Sequence, residues 1–553
     1  MNSFFRIEAA VVAAMIVLTL AGAAIPAQAQ TPTTLYDFPG GNTGFSDPQA
    51  WATAQGRDGN LYSTSVSGGT LGYGTLFQAT PSGTVNIFAS IGYFVISGAT
   101  LGTDGSFYGT NQDGGAGGNC GFAGCGQVYK VTPAGVETIL HSFTNTGDGS
   151  DPHSAPIEDT NGTFYGTTPT ENNGSNSTVY TITPSGTFTT IHTFTGADGQ
   201  NVTAPLVQGT NGDFYGDTVA GGTSNDGVIF KMTPSGAVTV LHSFAGTDGS
   251  AAYYALIQAN DGNFYGTTYT GGSIGNGVVF KITPGGDYSV VHNLNLSNGD
   301  GDGPSSSLIQ GSNGLLYGVT GSVNSGNYGT IYSVDITTGV FTTLYSFAGT
   351  TDGDNPQSPL RQHTNGLLYG FTVSGGDLSE CSGHGCGVFF SLDVGAPAFA
   401  SLVSTSGKEG AHIGILGQGF SSSSVVEFDG VTASFTRQGT TFISATVPAG
   451  ALTGEVTVTT GATTLTSNDT FRVTPTFASF NPPSGPVGTP VVLTGTGLTQ
   501  TTKVTFGGVA ATTFTVNSDT QVTADVPTRA VTGKIEITTK GGHVSSTSSF
   551  TVN

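Results

Sequence analysis

Few residues in this 553-residue chain are able to do chemistry, and most of them recur at fixed spacings. The four cysteines fall as two Cys-x4-Cys pairs, Cys120 with Cys125 and Cys381 with Cys386. In an exported chain such local pairs read as disulfides. A metal site built from both pairs is the alternative, but neither has the Cys-x2-Cys spacing of a zinc knuckle. His141, His192, His242 and His292 recur at matching places in successive segments. A ring of such segments holds them apart, so each reads as an imidazole hydrogen-bonded within its own segment. Gln55, Gln208, Gln258, Gln310 and Gln362 each stand seven residues before a recurring tyrosine, and the third copy has Glu158 there, followed by Asp159. A lone acid in a repeated column is where a glycosidase-type carboxylate would stand, so Glu158 is the one catalytic candidate. Drift at a structural position is the competing reading. No G-x-S-x-G elbow, HExxH or P-loop is present.

Two further sets carry binding rather than catalysis. Asn298, Asp300 and Asp302 alternate with glycines, which is how a calcium loop begins, but Ile309 stands where the bidentate glutamate of such a loop is needed. Ordinary Asp-Gly turn chemistry explains the same residues, so calcium is a candidate ion and no other cofactor is expected. Eleven residues before the tyrosine the column reads Trp51, Ser97, Ser154, Ala204, Tyr254, Ser306 and Ser358. Trp51 and Tyr254 are the large outliers. With Tyr253, Tyr93 and Phe94 they form a candidate ligand set whose rings could stack on sugars at one mouth of a central channel. Local packing is the bland alternative.

These columns exist because the chain repeats. The motif (N/D)G-x-(F/L)-Y-G, or a close variant, places tyrosines at Tyr62, Tyr108, Tyr165, Tyr215, Tyr265, Tyr317 and Tyr369, about 51 residues apart on average. Each copy continues through a Gly-rich loop, a Val/Phe strand, a Thr-Pro-x-Gly turn and a strand of the VLHSF type. Short alternating strands between glycine turns give four strands per unit. Seven such units predict an all-β, seven-bladed β-propeller over residues 30–395; a parallel β-solenoid would use shorter coils. The array opens on a lone outer-type strand at Thr34–Phe38 and closes on Gly387–Asp393 without one. Pairing these two segments in one mixed blade would close the ring, which requires Leu35 and Phe389 on the same sheet.

The TNGxFYG, GxVFKITPSG and VLHSFxGxDG signatures resemble the GloVer repeat of secreted bacterial proteins, over roughly Thr34 to Val394. That resemblance implies a surface or extracellular role and brings no catalytic residues. After Pro397 a new unit appears twice, with Gly417-Gln418-Gly419-Phe420 matching Gly495-Thr496-Gly497-Leu498 and Val447-Pro448 matching Val526-Pro527. Alternating runs such as Glu455-Val456-Thr457-Val458 indicate half-buried sandwich strands. Both units resemble IPT/TIG immunoglobulin-like domains, implying two β-sandwiches at residues 396–473 and 474–553.

Composition sets the limits of function. Thirteen basic against thirty-five acidic residues give a net charge of −22, which repels phosphate backbones and argues against a nucleic-acid partner. An uncharged run from Ala9 to Ala24 precedes the small-residue site Ala27-Gln28-Ala29, as in a bacterial secretory signal peptide spanning residues 1–29. An uncleaved N-terminal anchor is the alternative. No later apolar run is long enough to span a membrane. The expectation is a secreted or cell-surface binding protein, non-catalytic, recognising an extracellular glycan or an envelope component. Two alternatives compete with it: a propeller enzyme acting on polysaccharide, as hydrolase or lyase, and a purely structural envelope component.

Overall fold

The computed structural model describes residues 30–40, 48, 52–70, 72–92, 94–115, 120, 124–169, 176–321 and 326–553. The expected signal segment, Trp51 and Tyr93 lie outside them. The described chain is all-β apart from short 3₁₀ turns, and no helix in it is long and apolar enough to cross a membrane.

The repeat folds as seven four-stranded antiparallel sheets, the blades of a propeller. The fifth shows why the motif reads as it does. Its strands are Ile257–Gln258, Phe264–Thr268, Val278–Ile282 and Tyr288–Asn293, running from the ring axis outward. The Asp-Gly pair makes the turn between the first two strands, with Gly262 in the left-handed region that glycine alone enters without strain. Asp261 then accepts the Tyr265 hydroxyl at 2.9 Å. The phenylalanine before the tyrosine faces the neighbouring blade: Tyr215 stacks on Phe264 at 3.9 Å between centroids, as Tyr108 does on Phe164 and Tyr165 on Phe214. The glycine after the tyrosine makes room for the next strand, since a Cβ on Gly266 would lie 2.5 Å from the Phe280 ring. Each letter of the motif is thus fixed by a turn, a cap, a stack or a close approach. The third and outer strands shift register once, between Val279 and Phe280 here, and such bulges add twist.

The seventh sheet closes the ring. Thr33–Asp37 pairs antiparallel with Val388–Leu392, placing Tyr36 opposite Phe389 with Leu35 at a register shift, so Leu35 and Phe389 share one sheet as expected. Across the seam Gln55 and Thr364 bond twice, Nε2 to Oγ1 at 2.8 Å and Thr364 N–H to Oε1 at 3.1 Å. Both expected disulfides, Cys120–Cys125 and Cys381–Cys386, are formed.

Two sandwiches follow. In the first, Ser401–Leu402, His412–Leu416, Phe442–Thr446 and Phe435–Gln438 form one sheet, and Val431–Ala433, Val425–Phe428, Val456–Thr460 and Thr463–Thr466 the other. The second repeats this order with Thr476–Asn481, Pro490–Thr496, Gln521–Asp525 and Phe514–Ser518 facing Val509–Ala510, Thr501–Phe506, Gly533–Thr539 and Gly542–Val552. In both, a short strand near the N-terminus pairs parallel with the last one. Each encloses its own apolar core, around Phe428 and Phe471 in the first and Phe506 and Phe550 in the second.

Candidate functional site

The innermost strand of each blade is two residues long, and its two ends define the two faces of the ring. One end enters the hairpin turn before the motif tyrosine; the other receives the segment from the previous blade.

At the hairpin end stands the glutamine column, whose members latch one blade to the one before. The Gln258 amide oxygen accepts the Thr210 N–H at 2.8 Å, Gln310 accepts Asn260 N–H at 2.9 Å, and Gln362 accepts Ser312 N–H at 2.8 Å. The amide nitrogen of the same glutamines donates back to a glycine carbonyl in their own turn. Glu158 does the first of these jobs, accepting the Thr103 N–H at 2.7 Å and its hydroxyl at 2.6 Å. Burial pushes its carboxyl above the usual range, while the two Thr103 bonds pull it back. The lone acid of the column is therefore a blade-to-blade latch in which both oxygens are engaged.

The histidines sit in the outer strands. His141, His192, His242 and His292 contact Asp148, Asp198, Asp248 and Asp300 through Nε2 at 3.2, 2.9, 2.9 and 2.9 Å. His141, His242 and His292 also stack on an aromatic ring of the next blade. Of the calcium candidates, Asp300 also accepts Asn295 N–H at 3.1 Å, Asn298 lies in the 3₁₀ turn Leu296–Asn298, and burial raises the Asp302 carboxyl. Among the described residues no three His, Cys, Asp or Glu side chains gather as a metal site.

The aromatic candidates occupy the end opposite the hairpins. Tyr253 lies 6.3 Å from Tyr254 and edge-on to Tyr269 at 5.8 Å. Tyr254 is half-buried where most of its column holds a fully buried serine, and burial pushes its hydroxyl up, with Tyr269 and Tyr253 adding to the shift. Phe94 is 47% exposed and has φ +55°. At the equivalent place Asp151, Asn201, Ala251, Gly303 and Asn355 also enter the left-handed region, so this backbone turn belongs to the repeat, although a phenylalanine tolerates it less well than glycine or a short polar residue. Phe94 is thus an exposed ring held at a strained backbone position. The rings fall in two groups, Phe94 beside Tyr73 through the Phe94 N–H to Tyr73 carbonyl bond, and the three tyrosines of the fifth blade.

The hairpin face carries what the sequence columns did not reveal. The first sandwich docks there. Thr441 donates to the Arg57 carbonyl at 2.8 Å, Gln418 to the Thr364 hydroxyl at 2.9 Å, and Arg472 to the Thr210 carbonyl. Arg57 stacks over Phe442 at 4.5 Å and donates to the Thr103 carbonyl at 2.6 Å. Between ring and sandwich lies a cavity of about 250 Å³ lined by Thr53, Gln55, Thr100, Arg361, Ser401 and Leu402 among others, and Arg361 also lines a second cavity of about 180 Å³ with Asp469. Arg361 is the sole charge in its column, which otherwise reads Ala54, Thr100, Ile157, Val207, Ile257 and Ile309. Asp217 is a second lone acid. Two residues after the motif tyrosine, where Thr110 and Thr167 donate to carbonyls of the next blade, its carboxyl is fully enclosed with neither oxygen bonded, and burial pushes it well above the ordinary carboxylate range. Reading every column for its charged outlier, rather than the glutamine column alone, exposes both residues.

Comparison with known proteins places this architecture. The Gloeobacter/Verrucomicrobia repeat model matches residues 24–225, 95–299 and 203–448, and the IPT/TIG domain model matches residues 475–552. None of the curated proteins matches the chain. Similar solved structures include virginiamycin B lyase from Staphylococcus aureus, at 12% identity over 65% of this chain and 98% of that one, with a TM-score of 0.44. A fungal alcohol oxidase of the AA5 family in complex with copper shares 13% identity over 95% of this chain and all of its own, with a TM-score of 0.48. Oligogalacturonate lyase from Vibrio parahaemolyticus shares 12% over 66% and 92%, with a TM-score of 0.39. At these values the likenesses carry no argument about activity. The repeat matches together span well over half of the sequence: this chain belongs to the Gloeobacter/Verrucomicrobia repeat family and carries an IPT/TIG domain at residues 475–552.

Proposed function

We propose that the chain is an extracellular, non-catalytic binding protein that takes a saccharide or another ring-bearing envelope component on the ring face opposite the first sandwich. The observation that carries this reading is Phe94, a half-exposed aromatic ring held at a left-handed backbone position on that face. The other blades place small or polar residues at this position, Asp151, Asn201, Ala251, Gly303 and Asn355, so the exposed aromatic ring is particular to this blade. The Tyr253, Tyr254 and Tyr269 group offers a second aromatic surface on the same face, and aromatic faces are suited to stacking on the apolar side of a sugar ring. Trp51 belongs to the Tyr254 column by sequence, and Tyr93 adjoins Phe94. Two disulfides fit an oxidising compartment. The engagement of both Glu158 oxygens by Thr103 favours binding over hydrolysis at that residue.

The test is a glycan array with the mature chain, followed by titration of any hit against Phe94→Ala, Tyr254→Ala and Trp51→Ala. Each substitution is expected to weaken binding by roughly three- to tenfold, corresponding to about 0.5–1.5 kcal/mol. A confirmed ligand whose affinity is the same in all three variants removes this face as the site.

A further inference from the structure

Three arginines meet at the junction of ring and first sandwich, in a chain that has only six. Two are accounted for. Arg57 donates to the Thr103 carbonyl and covers Phe442; Arg472 donates to the Thr210 carbonyl. Arg361 differs. Its guanidinium makes no hydrogen bond among the described residues, and its Nε–H is buried without a partner. It retains some accessible surface, but protein surrounds it, and that surface faces the two cavities it lines. The opposite charge that it feels is Asp469 of the first sandwich, and the two do not approach as an ion pair. A guanidinium presents five N–H donors; of those on Arg361 the Nε–H is enclosed without a partner, which costs stability, and the Nη groups are not fully enclosed. Such a group is retained where something else supplies acceptors.

We infer that Arg361 is the anchor of a binding site for a small monoanionic carboxylate, with room for a sugar acid, in the cavity of about 250 Å³ between the ring and the first sandwich. The planar fork of a guanidinium matches a carboxylate through two parallel N–H···O bonds. Hydroxyls of Thr100 and Ser401 share the lining, which suits the hydroxyls of a polyol chain or ring, while the Gln55 amide there is held at both ends by Thr364. Charge limits the valence: Asp469 already offsets Arg361 at this junction, so a monoanion leaves one uncompensated negative charge there and a dianion two, which disfavours the dianion more strongly. The site lies at the other end of the channel from the aromatic face and does not rest on the function proposed there.

Calorimetric titration of the full mature chain with sodium glucuronate and sodium acetate at fixed ionic strength, with glucose and dibasic phosphate as controls, tests the inference. Saturable binding of both carboxylates and none of glucose is expected. Arg361→Gln is expected to lower carboxylate affinity by at least about tenfold, equivalent to ~1.4 kcal/mol, and Asp469→Asn to raise it. Should Arg361→Gln fail to fold, Arg361→Lys keeps the charge without the fork and is expected to bind more weakly than the parent. Absence of saturable carboxylate binding, unchanged affinity in the folded Arg361 variant, or a preference for phosphate overturns the inference.

Discussion

The two sandwiches have the same strand order and comparable cores, yet they are attached in different ways. The first reaches the ring through Thr441, Gln418 and Arg472, and its Ser401 and Leu402 help to wall the cavity at the channel mouth. The second touches the first: Gln500 accepts Thr453 N–H at 2.8 Å and donates to its carbonyl at 3.3 Å. Among the described residues no hydrogen bond joins residues 476–552 to the ring. The same fold therefore serves once as a cap and once as an outlying module, and the difference lies in surface side chains rather than in topology. The repeat model runs on to residue 448, inside the first sandwich, and the IPT/TIG model matches the second.

Truncation tests this difference most strongly. Removing residues 474–553 is expected to leave the melting temperature of the remainder nearly unchanged, within about 1 kcal/mol. Removing 396–553 uncovers the hairpin face, including Arg57, Arg361 and Thr364, and is expected to destabilise the ring by an amount on the order of 3 kcal/mol, several degrees in Tm. Calorimetry on the two truncations reads both. Equal losses would mean that the first sandwich is no more part of the ring than the second.

The cap was the part of the molecule least visible in the sequence. Strand order within a blade, the disulfides and the local bonding of the histidines all leave periodic or short-range marks, because each depends on residues a few positions apart or one repeat apart; closure by Thr33–Asp37 joins the two ends of the array and shows instead as the outer strand that one end has and the other lacks. Docking of one unit on another depends on side chains such as Thr441, Gln418 and Arg472, which sit singly in loops or at strand ends and follow no period. Glu158 is the reverse case. It stands out as a lone acid, but its backbone partner Thr103 lies 55 residues away and gives it the role that glutamine fills elsewhere. Arg361 and Asp217 are outliers of the same kind in columns whose significance depends on knowing which positions face the channel or the next blade.

Side-chain deletions sharpen the comparison at smaller scale. Arg57→Ala removes a carbonyl bond and the cover over Phe442 at the ring-to-cap junction, and is expected to cost about 1–3 kcal/mol. Gln500→Ala removes two bonds between the sandwiches, in a part-buried setting, and is expected to cost about 0.5–1.5 kcal/mol. Denaturant melts of the two variants beside the parent measure both. A larger loss from Gln500→Ala would place the tighter junction between the sandwiches and reverse the ranking.

The smallest effect is one of pH, at the outer junction. Glu409 of the first sandwich and Asp519 of the second share a hydrogen bond. Burial raises the Glu409 carboxyl first and the Asp519 bond raises it further, whereas bonds from Glu409, Thr499 and Gly497 leave Asp519 below its ordinary range despite burial. A raised acid stabilises the folded state most fully below its unfolded pKa and loses that contribution as pH rises through the folded value; a lowered acid contributes above its unfolded pKa and loses it as pH falls. The pair therefore holds best in the acidic interval between the two folded values, with Glu409 as the proton donor, and loosens toward neutral pH. Both groups are substantially solvated, so the change stays below about 1 kcal/mol. Glu409→Gln supplies a permanent amide donor to Asp519 and is expected to flatten the dependence. Energy transfer between dyes placed on the two sandwiches, followed from mildly acid to neutral pH in parent and variant, reads this junction directly. The same pH response in both would assign it to other groups and leave the outer junction held by Gln500 alone.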